Sequence, residues 1–186
     1  MRRLRYNVAV SLDGFIARAD GSYDWILEDP TIDFGALFSE FDTLLMGRKT
    51  YSVVRSQGQS GPFAGMHIVV ISRTLPPATE GNTTIVGEGI EEYVQNLRSA
   101  AGKDIWLFGG GDLFRHLLDA GLVDTVEVAI MPVLLGEGIP VLASGQFSRL
   151  LRLTSCVRME SGIVMLKYDT AAAGPSSVSN AISHSV

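Results

Sequence analysis

The stretch LLMGRKTY, residues 44–51, contains residue types that can hold a phosphate group. An apolar run ends at Gly47, and Arg48 and Thr50 follow at the start of a possible helix. Glycine lets the backbone approach an anion, free N–H groups at a helix N-terminus attract it, and arginine and threonine add donors. This turn therefore either binds phosphate or is an ordinary strand-to-helix connection.

A second stretch, FGGGDLF at 108–114, repeats the arrangement. Gly109, Gly110 and Gly111 separate an apolar run from a helical pattern. Glycine in ordered backbone costs about 0.5–1 kcal/mol relative to alanine, so three in a row indicate a special requirement. Two glycine turns at strand ends favour a dinucleotide, whose several phosphates need more than one set of donors.

Other motifs for chemistry are absent or incomplete. VGEGIEE at 86–92 resembles a dinucleotide fingerprint, but Glu92 replaces the third glycine, which predicts a turn. No G-x-x-x-x-G-K-[ST] loop is present, and the three histidines are scattered without metal-ligand spacing. We therefore expect neither NTPase chemistry nor a metal site.

The elements that position these turns alternate along the chain, which predicts an α/β fold with a mainly parallel sheet and a C-terminal antiparallel hairpin. Periodicity predicts strands at 6–11, 43–47, 67–72, 83–86, 104–108 and 124–135, helices at 31–41, 90–100 and 112–121, and hairpin strands at 151–160 and 163–170. Residues 171–186 have small side chains and no period, so we expect a tail that is disordered or lies along the body or a neighbour.

Composition narrows the class of protein. The 186 residues suit one domain, and a net charge of −5 argues against nucleic acid as the main partner. Cys156 is the single cysteine, which favours a reducing, cytoplasmic location. No apolar run reaches the roughly 20 residues of a membrane span, so no membrane partner is expected.

Five segments occur in an order that resembles the dihydrofolate-reductase-like family, in the branch of the reductase domain of the bifunctional riboflavin-biosynthesis deaminase/reductase. They read VAVSLDGFIA, LLMGRKTY, IVVISR, LFGGGDLF and IMPVLLGEGIPVL, and the resemblance spans about residues 4–169. It implies one reductase domain over residues 1–170, with a three-layer fold around a mostly parallel, eight-stranded sheet. It also implies NADPH as cofactor, a small-molecule substrate and a homodimer.

The resemblance assigns cofactor contacts residue by residue. Gly47, Arg48 and Thr50 match the turn that holds cofactor phosphates. Ser72 and Arg73 match the strand end that meets the adenosine 2′-phosphate.

The second turn completes this set. Gly109, Gly110 and Gly111 match the turn under the pyrophosphate, with Asp112 and Leu113 next in the chain. Asp112 stands where dihydrofolate reductases tend to have arginine, so it either weakens anion binding or caps the helix.

Four residues are assigned to the substrate side of the nicotinamide. Asp33 stands about where dihydrofolate reductases place their single active-site carboxylate. It is either a proton donor or anchor for a pterin-like substrate, or only an acidic residue in a first helical turn. Asp13, in SLDG, either borders the nicotinamide or only forms a turn with Gly14. Pro132 belongs to the PVLLGEG signature, and Trp25 either closes the site or packs in the core.

Two departures from the family matter. Met66 stands where dihydrofolate reductases have the arginine that clamps the folate carboxylate, which argues against dihydrofolate as substrate. The deaminase signature H-x-E with P-C-x-x-C is missing. Three functions remain open: a reductase resembling 5-amino-6-(5-phosphoribosylamino)uracil reductase, a reductase of pteridine-like or other carbonyl compounds, and a non-catalytic dinucleotide-binding protein.

Overall fold

A computed structural model describes residues 1–56, 63, 65–145 and 148–170. The predicted tail, 171–186, lies outside the described residues. The elements in chain order are β1 (Leu4–Ser11), β2 (Phe15–Ala17), α1 (Phe34–Ser39), β3 (Phe41–Gly47), α2 (Arg48–Ser56), β4 (His67–Ile71), β5 (Ala78–Glu80), β6 (Thr83–Val86), α3 (Ile90–Ser99), β7 (Asp104–Gly109), α4 (Gly111–Asp119), β8 (Thr125–Met131), β9 (Ile139–Pro140), β10 (Leu151–Arg158) and β11 (Val164–Thr170).

The main sheet has the strand order β10-β11-β8-β1-β7-β3-β4-β6-β5. Its central pairs are parallel, and the pairs β10–β11, β11–β8 and β5–β6 at its two sides are antiparallel. The mostly parallel α/β fold and the C-terminal hairpin are thus confirmed. The described residues form nine strands in this sheet rather than eight, because the short β5 adds an antiparallel edge.

Helices cover both faces of the sheet, which gives three layers. Along β7, Ile105 and Leu107 pack on the side of α3 and α4, whereas Trp106 and Phe108 pack on the side of α1 and α2. This alternation follows from the two-residue period of a strand, and the apolar runs of the central strands let both faces be buried. The rings of Tyr6 and Phe114 stack at 3.7 Å and fix α4 against β1.

Ion pairs close the amino edge of the parallel strands. Arg5 is buried and donates to both oxygens of Glu127 at 2.8 Å, and it also contacts Glu40 and Asp104. Burial by itself would raise the pKa of Glu127, but the Arg5 guanidinium lowers that pKa. These charges satisfy one another, so the carboxyl edge is left as the place for ligands.

Several boundaries differ from the predictions. The predicted helix 31–41 is shorter, because Asp33 caps α1 by accepting a 2.8 Å hydrogen bond from the Ala36 N–H. The predicted strand 124–135 ends at Met131, where the chain turns into the loop that begins with Pro132. β2 and β9, which pair in a small separate sheet, were not predicted. No helix in the described ranges is long and apolar enough to cross a membrane.

Candidate active site

The two glycine turns lie side by side at the carboxyl edge of the sheet. β3 and β7 pair in parallel, with Met46 opposite Gly109. A Cβ atom added to Gly109 would lie 3.6 Å from Thr50 Oγ1, and one added to Gly110 would lie 4.0 Å from it. The structure therefore brings the Thr50 hydroxyl of the first turn against the backbone of the second.

Glycine is required in the second turn by its backbone conformation. Gly109 and Gly110 have φ values of 154° and 96°, which L side chains rarely adopt. Gly110 is the N-cap of α4, and no side chain caps that end of the helix. The described residues contain no cis peptide bond.

Gly111 and Leu113 of the FGGGDLF motif pack against other parts of the protein and do not face Thr50. A Cβ atom on Gly111 would lie only 2.8 Å from the Pro140 carbonyl oxygen and 3.3 Å from the Ala143 nitrogen. Leu113 is buried in the main core, and Asp112 is exposed in the first turn of α4. Of the five residues predicted from this motif, Gly109 and Gly110 are therefore the ones placed beside the first turn.

Ser72 and Arg73 lie at the end of β4 beside a cleft of about 630 Å³. Ser72 is buried, and its Oγ accepts hydrogen bonds from the N–H groups of Thr74 and Leu75 at 3.2 and 3.0 Å. The serine thus fixes the turn that follows β4, and Arg73 is exposed at the cleft. The other lining residues are Leu75, Pro77, Thr84, Ile85, Val86, Gly87, Glu88 and Tyr93.

Two arginines at these positions are available to a ligand. Arg48, the first residue of α2, and Arg73 are exposed, and within the described part of the chain neither forms an ion pair. Arg2 and Arg5, in contrast, are buried and paired with carboxylates. Among the described residues, Arg55 and Arg158 are also exposed without an ion pair, but only Arg48 and Arg73 stand at the predicted phosphate contacts.

Asp13 joins two loops on the side that the sequence predicts to face the substrate. Its carboxylate accepts hydrogen bonds from the Ser11 hydroxyl at 2.6 Å, the Gly136 N–H at 2.7 Å and the Leu135 N–H at 3.0 Å. The bonds from Ser11 and Gly136 are the main reasons that the pKa of Asp13 is lowered. Leu12 strengthens the same junction by donating its N–H to the Val133 carbonyl at 2.8 Å.

The turn between β10 and β11, residues 159–163, is the tip of the C-terminal hairpin and lies on the same side of the molecule. A Cβ atom on Gly162 would lie 3.4 Å from Pro132 Cγ, so the tip packs against the exposed Pro132. Hydrogen bonds from Ser161 and Thr31 lower the pKa of the buried Asp29 to about 2. The tip is thereby tied both to the loop at 132–136 and to the loop that precedes α1.

Two residues predicted to lie on the substrate side are found in the core and at a helix end. Trp25 is buried with Met131 and Ile163, and its indole nitrogen has no hydrogen-bond partner in the described structure. Asp33 is exposed and serves as the N-cap of α1. Ser11 and the Leu135 amide were missed by the sequence reasoning, whereas Gly136 belongs to the PVLLGEG signature that the resemblance places near the substrate.

Within the described ranges, no three His, Cys, Asp or Glu side chains cluster so that they could hold a metal ion. A sequence profile of the RibD C-terminal domain matches residues 2–165.

The chain belongs to the RibD C-terminal domain family. The chain is 32% identical to the uncharacterized protein YyaP of Bacillus subtilis (strain 168) over 178 residues, which are 90% of this chain and 94% of that protein. It is 28% identical to the riboflavin biosynthesis protein RibD of Corynebacterium ammoniagenes, and the match covers 73% of this chain but 44% of that protein.

Solved structures confirm the dihydrofolate-reductase-like fold of this chain. A putative riboflavin biosynthesis protein from Shewanella sp. PV-4 matches with a TM-score of 0.77 and 24% identity, covering 91% of this chain and 98% of that chain. Dihydrofolate reductase from Enterococcus faecalis, complexed with NADP(H) and RAB-propyl, matches with a TM-score of 0.68 and 17% identity. The match covers 91% of this chain and 97% of that chain.

Proposed function

We propose that this chain is an NADPH-dependent reductase that transfers a hydride to a C=N or C=O group of a small heterocycle. The observation that carries the proposal is the proximity of Thr50 to the backbone of Gly109 and Gly110, which sets two glycine turns and two helix N-termini side by side at one edge of the sheet. Such an arrangement fits a pyrophosphate, because backbone N–H groups and helix dipoles lie together there. Arg48 and Arg73, both without ion-pair partners among the described residues, fit the remaining negative charge.

The residues of this chain then have distinct tasks. When bound, NADPH supplies the hydride, so the protein has to orient it, exclude water and deliver a proton. The glycine turns and Thr50 hold the phosphates, and the Asp13 carboxylate holds the 132–136 loop in place. Because the pKa of Asp13 is lowered, Asp13 suits this positioning role better than proton donation, and Asp33 remains our proposed donor.

A phosphoribosylamino-pyrimidine is the substrate that family membership favours, since the curated RibD relatives are riboflavin biosynthesis proteins. Met66 is buried in an apolar cluster with Phe41 and Trp106, so this position offers no cation to a folate carboxylate. The substrate class is therefore closer to that of the riboflavin branch than to dihydrofolate.

Titration with NADPH and NADH, followed by quenching of tryptophan fluorescence, tests the proposal. We expect micromolar binding of NADPH, about tenfold weaker binding by Thr50→Val through loss of one charge-assisted donor, and no change in Thr79→Val, an exposed threonine on β5. Absorbance at 340 nm with the phosphoribosylamino-pyrimidine then measures turnover. Binding without oxidation of NADPH would favour a non-catalytic dinucleotide-binding protein, and no binding of either cofactor would overturn the proposal.

A cytoplasmic homodimer is part of the same proposal. β10 lies at the edge of the sheet, and its side chains from Arg152 to Arg158 are exposed, with Leu153 at 51% and Val157 at 49%. An exposed edge strand with apolar residues is a surface on which a second chain can pair. Light scattering after size-exclusion chromatography measures this directly, and a monomer at all concentrations would contradict it.

A further inference from the structure

Two residues of opposite charge flank the cleft at the ends of β4 and β6. The Ser72 N–H donates to the Val86 carbonyl at 3.0 Å, and a Cβ atom on Gly87 would lie 3.5 Å from the Ser72 carbonyl oxygen. Arg73 and Glu88 are the next residues after this backbone contact on the two strands, and both line the cleft of about 630 Å³.

Both side chains are open to a ligand. Arg73 and Glu88 are exposed, and in the described part of the chain neither forms an ion pair with the other or with a third residue. Glu91, three residues after Glu88, is paired with His116 at 3.0 Å. Unlike Glu91, Glu88 is therefore left without an ion-pair partner in the described part of the chain.

The two charges discriminate between the nicotinamide dinucleotides in opposite directions. A guanidinium binds a 2′-phosphate through charge-assisted hydrogen bonds, which NADH cannot offer. A carboxylate accepts a hydrogen bond from the ribose 2′-hydroxyl of NADH and repels the 2′-phosphate of NADPH.

We infer that Glu88 is a specificity-determining residue that opposes Arg73, so that the cleft accepts NADH as well as NADPH. This inference rests on the proposed cofactor site and adds to it the ratio of the two affinities. The preference for NADPH is smaller than Arg73 alone would give, because the 2′-phosphate also meets the negative charge of Glu88 at the same cleft.

The test measures the dissociation constants of NADPH and NADH for the unaltered chain, Glu88→Gln, Arg73→Gln and the control Glu80→Gln. Glu80 is exposed on β5 and does not line the cleft, so its substitution makes the same change in net charge away from the site. We expect Glu88→Gln to bind NADPH about threefold to tenfold more tightly without tighter binding of NADH. Arg73→Gln is expected to lower the preference for NADPH, and Glu80→Gln to leave it unchanged.

Adenosine 2′,5′-bisphosphate and AMP, used as probes in the same titrations, isolate the contribution of the 2′-phosphate. If each variant binds NADPH and NADH, and the ratio of the NADPH and NADH dissociation constants is the same in Glu88→Gln and Glu80→Gln, the inference is overturned and the proposed function stands. Failure of the unaltered chain to bind either cofactor would overturn both.

Discussion

The Asp13 carboxylate accepts a 2.7 Å hydrogen bond from the backbone N–H of Gly136. These two residues are 123 positions apart and belong to SLDG and PVLLGEG, two of the segments that carry the resemblance to the riboflavin branch. The Ser11 hydroxyl donates to the same carboxylate, and Ser11 itself is buried. One side chain therefore holds together the two loops expected to border the nicotinamide.

Replacing Asp13 with alanine is expected to loosen the 132–136 loop, because the Leu135 and Gly136 amides lose their acceptor. Hydrogen exchange of these amides, measured by mass spectrometry, should speed up at least tenfold. Asparagine has one acceptor oxygen, so Asp13→Asn cannot accept from both the Ser11 hydroxyl and the 135–136 amides. Single-turnover hydride transfer to the phosphoribosylamino-pyrimidine should therefore fall at least tenfold in this variant, with cofactor affinity little changed. Asp20→Asn is the matched control, since Asp20 also precedes a glycine and accepts a bond from a nearby N–H, but within its own turn. Equal exchange rates in Asp13→Ala and the unaltered chain would contradict the positioning role.

Asp33 allows helix capping and proton donation to be separated. Asparagine can still accept the hydrogen bond from the Ala36 N–H, so Asp33→Asn should keep the free energy of unfolding within about 0.5 kcal/mol. If Asp33 is the proton donor, the same variant should lower single-turnover hydride transfer at least tenfold, because the amide cannot release a proton. Urea unfolding and stopped-flow absorbance measure the two quantities. An unchanged rate with an intact fold would leave Asp33 as a cap only.

Gly111 and Gly47 form a matched pair of glycine-to-alanine substitutions. Gly111→Ala would place a methyl group 2.8 Å from the Pro140 carbonyl oxygen, which should lower the free energy of unfolding by about 1–3 kcal/mol. Gly47→Ala meets no atom within 4 Å, so its fold should be unaffected while binding of NADPH weakens. Urea denaturation and fluorescence titration distinguish the two. Equal stability of both variants would contradict the packing of Gly111 against the 140–143 segment.

Asp29 should make part of the stability depend on pH. Its pKa is about 2 in the folded protein, below the unfolded value of about 4. Its contribution is therefore complete above about pH 4 and is lost as pH falls toward 2. Asp29→Asn should lower the unfolding temperature at pH 7. The difference in unfolding temperature between this variant and the unaltered chain should narrow between pH 4 and pH 3. Thermal unfolding at these pH values measures this, with the exposed Glu28→Gln as control.

Arg5 should be among the residues most costly to remove. Arg5→Met leaves Glu127 buried without its bidentate partner, which is expected to lower the free energy of unfolding by about 3–5 kcal/mol. The double variant Arg5→Met/Glu127→Met removes both charges and should recover much of this loss. A double variant as unstable as the single one would show that the network acts through its other members, Glu40 and Asp104.

The sequence determined the alternation of strands and helices, because apolar periodicity and glycine position are local properties that do not depend on partners. The runs at 43–47 and 104–108 lie in β3 and β7, and the glycines after them mark the turns that the structure brings together. Helix and strand ends were less predictable. Asp33 caps the N-terminus of α1, so the helix begins at Phe34, inside the predicted range 31–41. The strand β5 has three residues, which is too short for a period to be recognised.

Only the tertiary structure decided what individual side chains face. FGGGDLF reads as one phosphate motif, yet Gly111 packs under residues 140–143, which approach it from 29 or more positions away. Asp13 reads as a turn residue or a catalyst, and its contact with Gly136 depends on β1 and β8 being neighbours in the sheet. Such contacts join distant segments through strand order, and strand order is set by global packing that no local stretch of sequence encodes.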